Sequence, residues 1–392
     1  PYGVPSHALP EVDVPLVDSV TRVCASHCDQ LSLGERHSVW FVGGNHAGRR
    51  GPSGEWLPQG ESLPGRNEWN DALMHRGCTA LDAAGAVTGD AVHAWVLTPP
   101  GVSTDIPPST PLPVVMLVHG GPQGAWGDSW HYRWHPQTYA AAGYIVLAVN
   151  FHGSSSFGQA FQDAVTGDWG GAPQLDNMLG LRWLLQESPW AGMADPQRVV
   201  AAGASFGGYS VNWLNGHTRL LRGIVCHDGI FDSAAAAFTT EETWFMQWEF
   251  GGLPGQGGGV AAAQEAARRG GAELPSAFPP LAPAAEVAEL YARWSPSSYC
   301  GNWNTPTLVI HGGKDYRLPE TDGVAAFNAL QRNGVRSRLL YFPTENHWVL
   351  GTANSAQWHK QVLSWIAQCT AAGPSSNGKT APGEGSSAGA TQ

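Results

Sequence analysis

The sequence predicts an α/β fold whose core is a doubly wound, mostly parallel β-sheet, and three observations predict it. Short apolar runs with the length of buried strands alternate with segments of helical periodicity from about residue 92 onwards. One of these runs leads into Gly203-Ala-Ser-Phe-Gly207, which matches the Gly-x-Ser-x-Gly pattern of a sharp strand-to-helix turn. An aspartate and a histidine follow two later strands of the series. Because functional groups of such sheets gather at the carboxyl ends of the strands, these three side chains are expected to meet there.

The predicted elements follow one another along the chain. Residues 114–118 and 144–149 are almost wholly apolar, as strands buried on both faces of a sheet require. The predicted strands are residues 92–98, 114–118, 144–149, 198–202, 223–226, 307–310 and 337–342. Helices are predicted at residues 175–185, directly after Gly207, at about residues 321–333 and at residues 355–367.

The remaining segments differ from this alternating pattern. Residues 1–85 contain a clear strand at 37–42 followed by a long turn-rich stretch, so they are predicted to form part of an all-β unit. Residues 86–372 are predicted to be one α/β domain, with a low-complexity insert at 251–283 that is rich in Gly, Ala and Pro. Residues 373–392 form a Gly/Ser/Ala/Pro tail that is expected to be disordered.

The composition argues against several kinds of partner and cofactor. The formal net charge is −11 and no basic run stands out, which argues against nucleic acid or an anionic membrane surface as a partner. No stretch approaches ~18 consecutive apolar residues, so no membrane span is predicted. Cys24 and Cys28, with His27 between them, would supply half of a zinc site, but no second pair with matching spacing follows. No metal is therefore expected.

Ser205 stands at the apex of the predicted turn. Small residues two positions before and after it let strand and helix approach closely and tolerate a strained backbone. The Ser205 hydroxyl then projects from the sheet edge, and the backbone N–H of Phe206 is placed to bind an oxyanion. With a strand before it and a helix after it, the pattern is a nucleophile elbow. The sequence therefore predicts a serine hydrolase of the α/β-hydrolase fold.

A serine nucleophile needs a base, and the base needs an acid that orients it. Asp315 lies in the loop after the strand predicted at 307–310, and His347 in the loop after the strand predicted at 337–342. These are the positions and the chain order of acid and base in an α/β-hydrolase. A turn-forming aspartate and a surface histidine are the alternatives. Asp232, after the preceding strand, is the alternative acid.

The oxyanion needs a second donor, which such hydrolases supply from the loop after an earlier strand. His119-Gly-Gly-Pro122 ends the strand predicted at 114–118, and its glycines let the backbone approach a substrate without a Cβ in the way. We predict that the N–H of Gly121 is this donor and that His119 orients the loop. A plain Gly-Pro turn is the alternative.

Together these residues resemble the prolyl oligopeptidase family of serine peptidases, over about residues 92–369. The dipeptidyl peptidase V branch is the most similar, and acylaminoacyl peptidases come next. The resemblance assigns Ser205 as nucleophile, Asp315 as acid and His347 as base. It also assigns Phe231 to the wall of the S1 pocket, where a core aromatic is the alternative. The matching motifs are residues 119–124, 149–154 with Gly158, 167–171 with Asp176, 203–209, 314–319 and 342–348.

Members of this family carry a β-propeller before the hydrolase domain. At most about 85 residues precede the domain here, enough for a blade or two. Residues 1–85 are therefore expected to be a propeller remnant, and the chain a C-terminal fragment or a truncated product. In relatives the propeller restricts access to peptides and helps bind their amino end, so exopeptidase specificity is not carried over with the motifs.

The resemblance implies a serine peptidase that cleaves short peptides and releases N-terminal dipeptides or acylated amino acids through an acyl-enzyme. A carboxylesterase of the same fold is one alternative, and an inactive truncated hydrolase that serves as an interaction module is another. The partner expected is a peptide substrate, with no metal or organic cofactor. Homo-oligomer formation and cellular location stay open.

Overall fold

A computed structural model of the chain describes residues 36–42, 91–255 and 284–371. These residues form an eight-stranded sheet with the order β1-β2-β4-β3-β5-β6-β7-β8 and with helices on both faces. The strands are β1 (Arg36–Val42), β2 (Ala91–Leu97), β3 (Leu112–Val118), β4 (Ile145–Asn150), β5 (Ala194–Ala204), β6 (Gly223–His227), β7 (Thr307–Gly312) and β8 (Ser337–Phe342).

The helices alternate with these strands along the chain. They are α1 (Pro136–Ala141), α2 (Gln159–Asp163), α3 (Ala172–Gln186), α4 (Phe206–His217), α5 (Ser233–Thr239), α6 (Thr243–Phe250), α7 (Ala284–Trp294), α8 (Glu320–Arg332) and α9 (Thr352–Thr370). A 3₁₀ segment, Pro296–Asn302, precedes β7. In the described ranges, no helix is both long and apolar enough to cross a bilayer.

The strands from β4 to β8 pair in parallel, and of the described strands only β2 runs in the opposite direction. β2 pairs antiparallel with β4, and β1 pairs antiparallel with β2. In the parallel part, Val118 at the end of β3 is the partner of Gly203 near the end of β5. The loop after β3 and the turn after β5 therefore begin side by side, at the carboxyl edge of the sheet.

The core has a layer on each face of the sheet because side chains alternate along every strand. On β3, Val114 and Met116 belong to one apolar cluster, whereas Val115 and Leu117 belong to the other. The first cluster includes buried residues of α3, α4, α6 and α7, and the second includes those of α1 and α9. A parallel sheet covered on both faces needs these near-continuous apolar strands.

The structure confirms the α/β-hydrolase sheet and the strand predicted at 37–42. That strand is β1, and it is an edge strand of the hydrolase sheet, paired with β2. The rest of residues 1–85 lies outside the described residues, so the propeller-like segment stays a prediction. Most of the predicted insert at 251–283 and the tail at 373–392 also lie outside them.

Candidate active site

Ser205 occupies the turn between β5 and α4 in a strained backbone conformation. Its φ is 60° and its ψ is −122°, a region that residues with a side chain rarely adopt. Its N–H donates to the carbonyl of His227 at 3.1 Å and to Oδ1 of Asp228 at 2.6 Å. A Cβ on Gly207 would collide with the carbonyl of Val118, so a glycine is required there. The predicted elbow is therefore present, and the end of β6 holds its apex.

Asp315 and His347 form a buried hydrogen-bonded pair after β7 and β8. Oδ1 of Asp315 accepts the N–H groups of Arg317 and Leu318, at 3.0 and 2.9 Å. Its Oδ2 lies 2.7 Å from Nδ1 of His347. Because a carboxylate only accepts, we assign the ring proton to Nδ1, which leaves Nε2 as an acceptor. This is the orientation that a general base needs.

Charged neighbours set the affinity of His347 for a proton. Burial lowers the pKa of His347, but the carboxylates of Asp228 and Asp315 outweigh it and hold the pKa above its ordinary value. The Arg133 guanidinium opposes them. The ring is therefore easier to protonate than a histidine in water, which suits a base that must carry a proton between two atoms.

Two residues of this cluster were missed by the sequence argument, Asp228 and Arg133. Asp228 follows β6 directly, and its side chain is fully buried with Oδ2 3.4 Å from Nδ1 of His347. Arg133 is also buried and donates from Nη1 to the carbonyl of His347 at 2.8 Å. The alternative acid, Asp232, lies elsewhere in the chain's fold and caps α5 by accepting two backbone N–H groups.

Ser205 and His347 line the same cavity, of about 500 Å³. His119, Gly120 and Gly121 line it as well, since the loop after β3 lies against the serine. A Cβ built on Gly120 would stand 3.9 Å from Oγ of Ser205. The predicted oxyanion loop and the predicted nucleophile are thus adjacent.

The two predicted oxyanion donors are positioned by different means. Phe206 is the first residue of α4, so its N–H has no acceptor within the helix. Gly121 has a φ of +124°, which only glycine adopts readily. In the same loop, Nε2 of His119 lies 2.8 Å from Oγ of Ser154. The His119 ring also stacks on the ring of Phe151, with the two centroids 4.0 Å apart. Burial lowers the pKa of His119 to about 4, so this ring is neutral and serves to hold the loop.

Part of the cavity wall is aromatic and apolar. Trp169, Trp244, Phe245 and Met246 line it next to the serine turn. The predicted S1 residue, Phe231, is not among the lining residues. Its ring packs edge-on against Trp303 at 5.6 Å, in a separate small cluster under α8. The geometry therefore assigns this apolar wall to Trp169 and to residues of α6, and not to Phe231.

At the cavity wall, the guanidinium of Arg317 lies over the ring of Trp348. Nη2 of Arg317 lies 2.9 Å from Oε1 of Glu242, and its guanidinium stands 5.1 Å above the ring of Trp348. All three residues line the cavity. A cation fixed between a carboxylate and an indole gives this part of the wall a defined shape.

Asp228, Asp315 and His347 are the one group of the described residues whose spacing would suit a metal ion, with ligand atoms within 4.8 Å of one another. Two of the three are already engaged with each other, because Nδ1 of His347 binds Oδ2 of Asp315. Nη1 of Arg133 lies 3.9 Å from Oδ2 of Asp228, and a guanidinium there disfavours a second cation. The donor set fits an acid–base pair better than a metal centre.

Known proteins resemble this chain in sequence. A model of the prolyl oligopeptidase family matches residues 130–266 and 281–373. Dipeptidyl-peptidase 5 of Schizosaccharomyces pombe is 42% identical over 284 residues, which are 72% of this chain and 36% of that protein. Dipeptidyl-peptidase 5 of Aspergillus fumigatus is 40% identical over 279 residues, 70% of this chain and 33% of that protein. The chain thus spans about a third of the length of these curated relatives.

Solved structures share the fold at lower sequence identity. The uncomplexed acylaminoacyl peptidase of Pyrococcus horikoshii has a TM-score of 0.57 and 22% identity, over 72% of this chain and 40% of that chain. A puromycin-hydrolyzing peptidase of Mycobacterium tuberculosis has a TM-score of 0.57 and 22% identity, over 72% of this chain and 38% of that chain. The family model covers more than half of this chain, including Ser205, Asp315 and His347, and the chain therefore belongs to the prolyl oligopeptidase family.

Proposed function

We propose that this chain is a serine peptidase that releases dipeptides or acylated amino acids from the amino end of short peptides. One observation carries the proposal: a serine at a strained turn lines the same cavity as His347, whose ring is hydrogen-bonded to Asp315. The names of the relatives, dipeptidyl-peptidase 5 and acylaminoacyl peptidase, support the two kinds of product.

The proposed reaction begins with the attack of Oγ of Ser205 on the scissile carbonyl carbon. As the C–O bond forms, Nε2 of His347 takes the hydroxyl proton, and the carbonyl electron pair moves to its oxygen. The N–H groups of Phe206 and Gly121 bind this oxyanion, while Asp315 keeps the proton on Nδ1. The imidazolium then gives its proton to the leaving amine as the C–N bond breaks. Water repeats the sequence on the acyl-enzyme and restores the serine.

The walls of the cavity suggest the preferred side chain next to the cleaved bond. Trp169, Phe245 and Met246 offer aromatic and thioether surface beside Ser205. Moving an apolar side chain from water to such a surface lowers its free energy. A charged side chain would lose its hydration there and find no opposite charge in return. We expect the enzyme to prefer large apolar residues at this position.

Labelling with a fluorophosphonate, followed by peptide mapping, tests the nucleophile. We expect stoichiometric labelling at Ser205 that is lost in Ser205→Ala. Ser188→Ala is the control, because the Ser188 hydroxyl is buried away from the cavity and donates to the carbonyl of Leu184 at the end of α3. A folded protein with no labelled serine would contradict the proposal and favour the interaction-module alternative.

Matched substrates test the product class. A dipeptidyl amide with a free amino end and an acetylated aminoacyl amide would be compared, each with its ester. Turnover of either amide supports the peptidase, and the ratio of the two identifies the product released. Ester hydrolysis with no amide turnover would identify a carboxylesterase.

A further inference from the structure

We propose that Asp228 is a positioning residue of this site, which fixes the nucleophile turn with one carboxylate oxygen and stabilises the protonated His347 ring with the other. The inference rests on the proposed function. It gives the site two acids, Asp315 and Asp228, on either side of one base.

The first contact joins Asp228 to the nucleophile. Its Oδ1 accepts the N–H of Ser205 at 2.6 Å, and its own N–H donates to Ile310 in β7 at 2.9 Å. The carboxylate therefore connects the strained turn to the neighbouring strand. A charge-assisted hydrogen bond of this length is among the stronger ones in proteins, and it holds the apex in place.

The second contact joins the same carboxylate to the base. Oδ2 of Asp228 lies 3.4 Å from Nδ1 of His347, on which Oδ2 of Asp315 also converges at 2.7 Å. Nε2 of His227 lies 3.3 Å from this buried oxygen, but no contact among the described residues has hydrogen-bond geometry there. A neutral N–H without that geometry compensates a buried carboxylate less than a positive charge on the adjacent His347 ring does.

The backbone conformation at position 228 is strained for an aspartate. Asp228 has a φ of +41°, in the region where glycine is favoured. Its side chain is fully buried. Strain and a buried charge at one residue point to a role in the site more than to a role in folding.

The neighbouring His227 ring is neutral, so it does not supply the positive charge that Asp228 stabilises. Its Nδ1 lies 3.1 Å from Nη1 of Arg133 and accepts from Nε1 of Trp358 at 3.2 Å. Since guanidinium and indole groups only donate, Nδ1 carries no proton. Burial, together with Arg133, lowers the pKa of His227 well below its ordinary value. His347 is thus the ring that responds to Asp228.

The charges of the cluster balance only when His347 is protonated. Arg133 contributes one positive charge, and Asp228 and Asp315 contribute one negative charge each. An imidazolium at His347 therefore makes the buried group neutral, whereas without Asp228 it would leave an excess positive charge. Because electrostatic energies are large in a buried site, this balance favours the charge that develops on the base during attack. The charged and titratable groups that face Asp228 are Tyr132, Arg133, Cys226, His227, His311, Asp315 and His347.

The test is the pH dependence of the labelling rate at Ser205, and of kcat/KM, in Asp228→Asn. The amide oxygen can still accept the Ser205 N–H, but the negative charge is gone. The acid limb should move to lower pH by about one pH unit, because an imidazolium without this neighbour loses its proton more readily. The plateau rate should fall about tenfold, the factor that corresponds to that shift.

The matched control is Asp176→Asn. Asp176 is equally buried, and its Oδ2 accepts the backbone N–H of His152 at 2.8 Å. The same oxygen lies 2.5 Å from Nδ1 of the His152 ring. Removing its charge should leave the acid limb where it is in the unchanged enzyme. A limb that moves equally in both variants would overturn the proposal.

A second variant guards against misfolding. In Asp228→Gly the positive φ is no longer strained and the buried charge is gone. This variant should therefore fold even if Asp228→Asn does not. The acid limb should shift in the same direction, with a larger loss at the plateau because the contact with Ser205 is also gone. A folded variant of either kind whose acid limb coincides with that of the unchanged enzyme overturns the proposal.

NMR of ¹⁵N-labelled histidine separates this inference from the proposed function. The His347 ring should titrate at lower pH in Asp228→Asn whatever substrate the enzyme uses. If no peptide is cleaved but His347 shows this shift, the proposed function fails and the inference holds. If peptides are cleaved and His347 titrates at the same pH in both proteins, the inference fails.

Discussion

Two buried aspartate–histidine pairs in this molecule are built alike and lie in different surroundings. In each, Oδ2 of the aspartate contacts Nδ1 of the ring, at 2.7 Å for Asp315–His347 and 2.5 Å for Asp176–His152. Both carboxylates also accept backbone N–H groups. As isolated units, the two pairs are nearly the same.

Their surroundings differ at the far side of the ring. His347 lines the cavity together with Ser205 and has a second carboxylate beside it. His152 stacks on Phe161 at 4.2 Å, and it does not line the cavity. A hydrogen-bonded pair is therefore a structural unit of the fold, and it becomes a candidate base only where its free nitrogen meets a nucleophile and a substrate.

The largest test of this difference replaces each histidine by alanine. His347→Ala should lower kcat/KM by at least about 10⁴-fold, since the nucleophile loses its base. His152→Ala should lower the melting temperature but change kcat/KM less than about tenfold in the folded fraction. Steady-state hydrolysis of the amide substrates, with melting curves on the same samples, measures both. Comparable losses of kcat/KM would break the comparison.

Replacing each aspartate by asparagine should have a smaller effect. Asp315→Asn should lower kcat/KM by about 10³-fold. This loss is smaller than the roughly 10⁴-fold expected where the only acid is removed, because Asp228 still faces the ring. Asp176→Asn should leave kcat/KM within a fewfold of the unchanged enzyme and lower the free energy of unfolding by about 2 kcal/mol. Urea unfolding and initial rates measure the two quantities. A rate loss in Asp176→Asn as large as in Asp315→Asn would contradict the distinction.

The pH dependence sharpens the comparison further. The charges of Asp228 and Asp315 raise the pKa of His347, so the neutral ring that accepts the serine proton is lost at a higher pH than for an ordinary histidine. We expect kcat/KM to fall as pH drops, with the acid limb above about pH 6.5. Rates across the pH range locate this limb. A limb clearly below that value would show that burial outweighs the two carboxylates.

A third buried acid, Glu249, shows what burial does where no histidine or cation of the described residues is in contact with the carboxylate. It accepts from Nε2 of Gln123 and Nε1 of Trp169, both at 2.8 Å, and burial raises its pKa to about 7. Its folded-state pKa lies above the unfolded value, so its stabilising effect is complete below about pH 4.5 and is lost as pH rises through about 7.

The smallest expected effect is therefore on stability in Glu249→Gln. Between about pH 5 and about pH 8 the unchanged protein should lose roughly 1–3 kcal/mol of unfolding free energy more than the variant does. The glutamine keeps an acceptor for one of the two donors, so the variant remains folded. Urea unfolding at both pH values measures the difference. Parallel losses would show that Glu249 does not titrate in this range.

The sequence predicts the strand framework and the order of the three candidate catalytic residues because both leave local signals. The strand predicted at 337–342 coincides with β8, and the elbow pattern marks the end of β5. Asp315 and His347 each follow a strand that is recognisable from its apolar residues. Periodicity and turn chemistry act over a few residues, so a single sequence contains them.

Asp228 was missed because its role depends on the direction of a side chain. It lies two residues after the strand predicted at 223–226, which is a signal that was available, but the sequence analysis assigns Asp315 as the acid and names Asp232, farther along the same loop, as the alternative. Which of the two points toward the base depends on the backbone at the end of β6. Helix α6 was also missed, since Thr243–Phe250 is rich in aromatic residues on every side and shows no helical period.

All twelve residues of α4, the helix that starts directly after Ser205, are buried. A helix enclosed on every side cannot fray or detach while the surrounding sheet stays folded, and its amide protons exchange with solvent only when the domain opens as a whole. The serine therefore keeps its place for as long as the protein is folded. On heating, the enzyme should lose competence and cooperative structure together, with no inactive folded state preceding the melt.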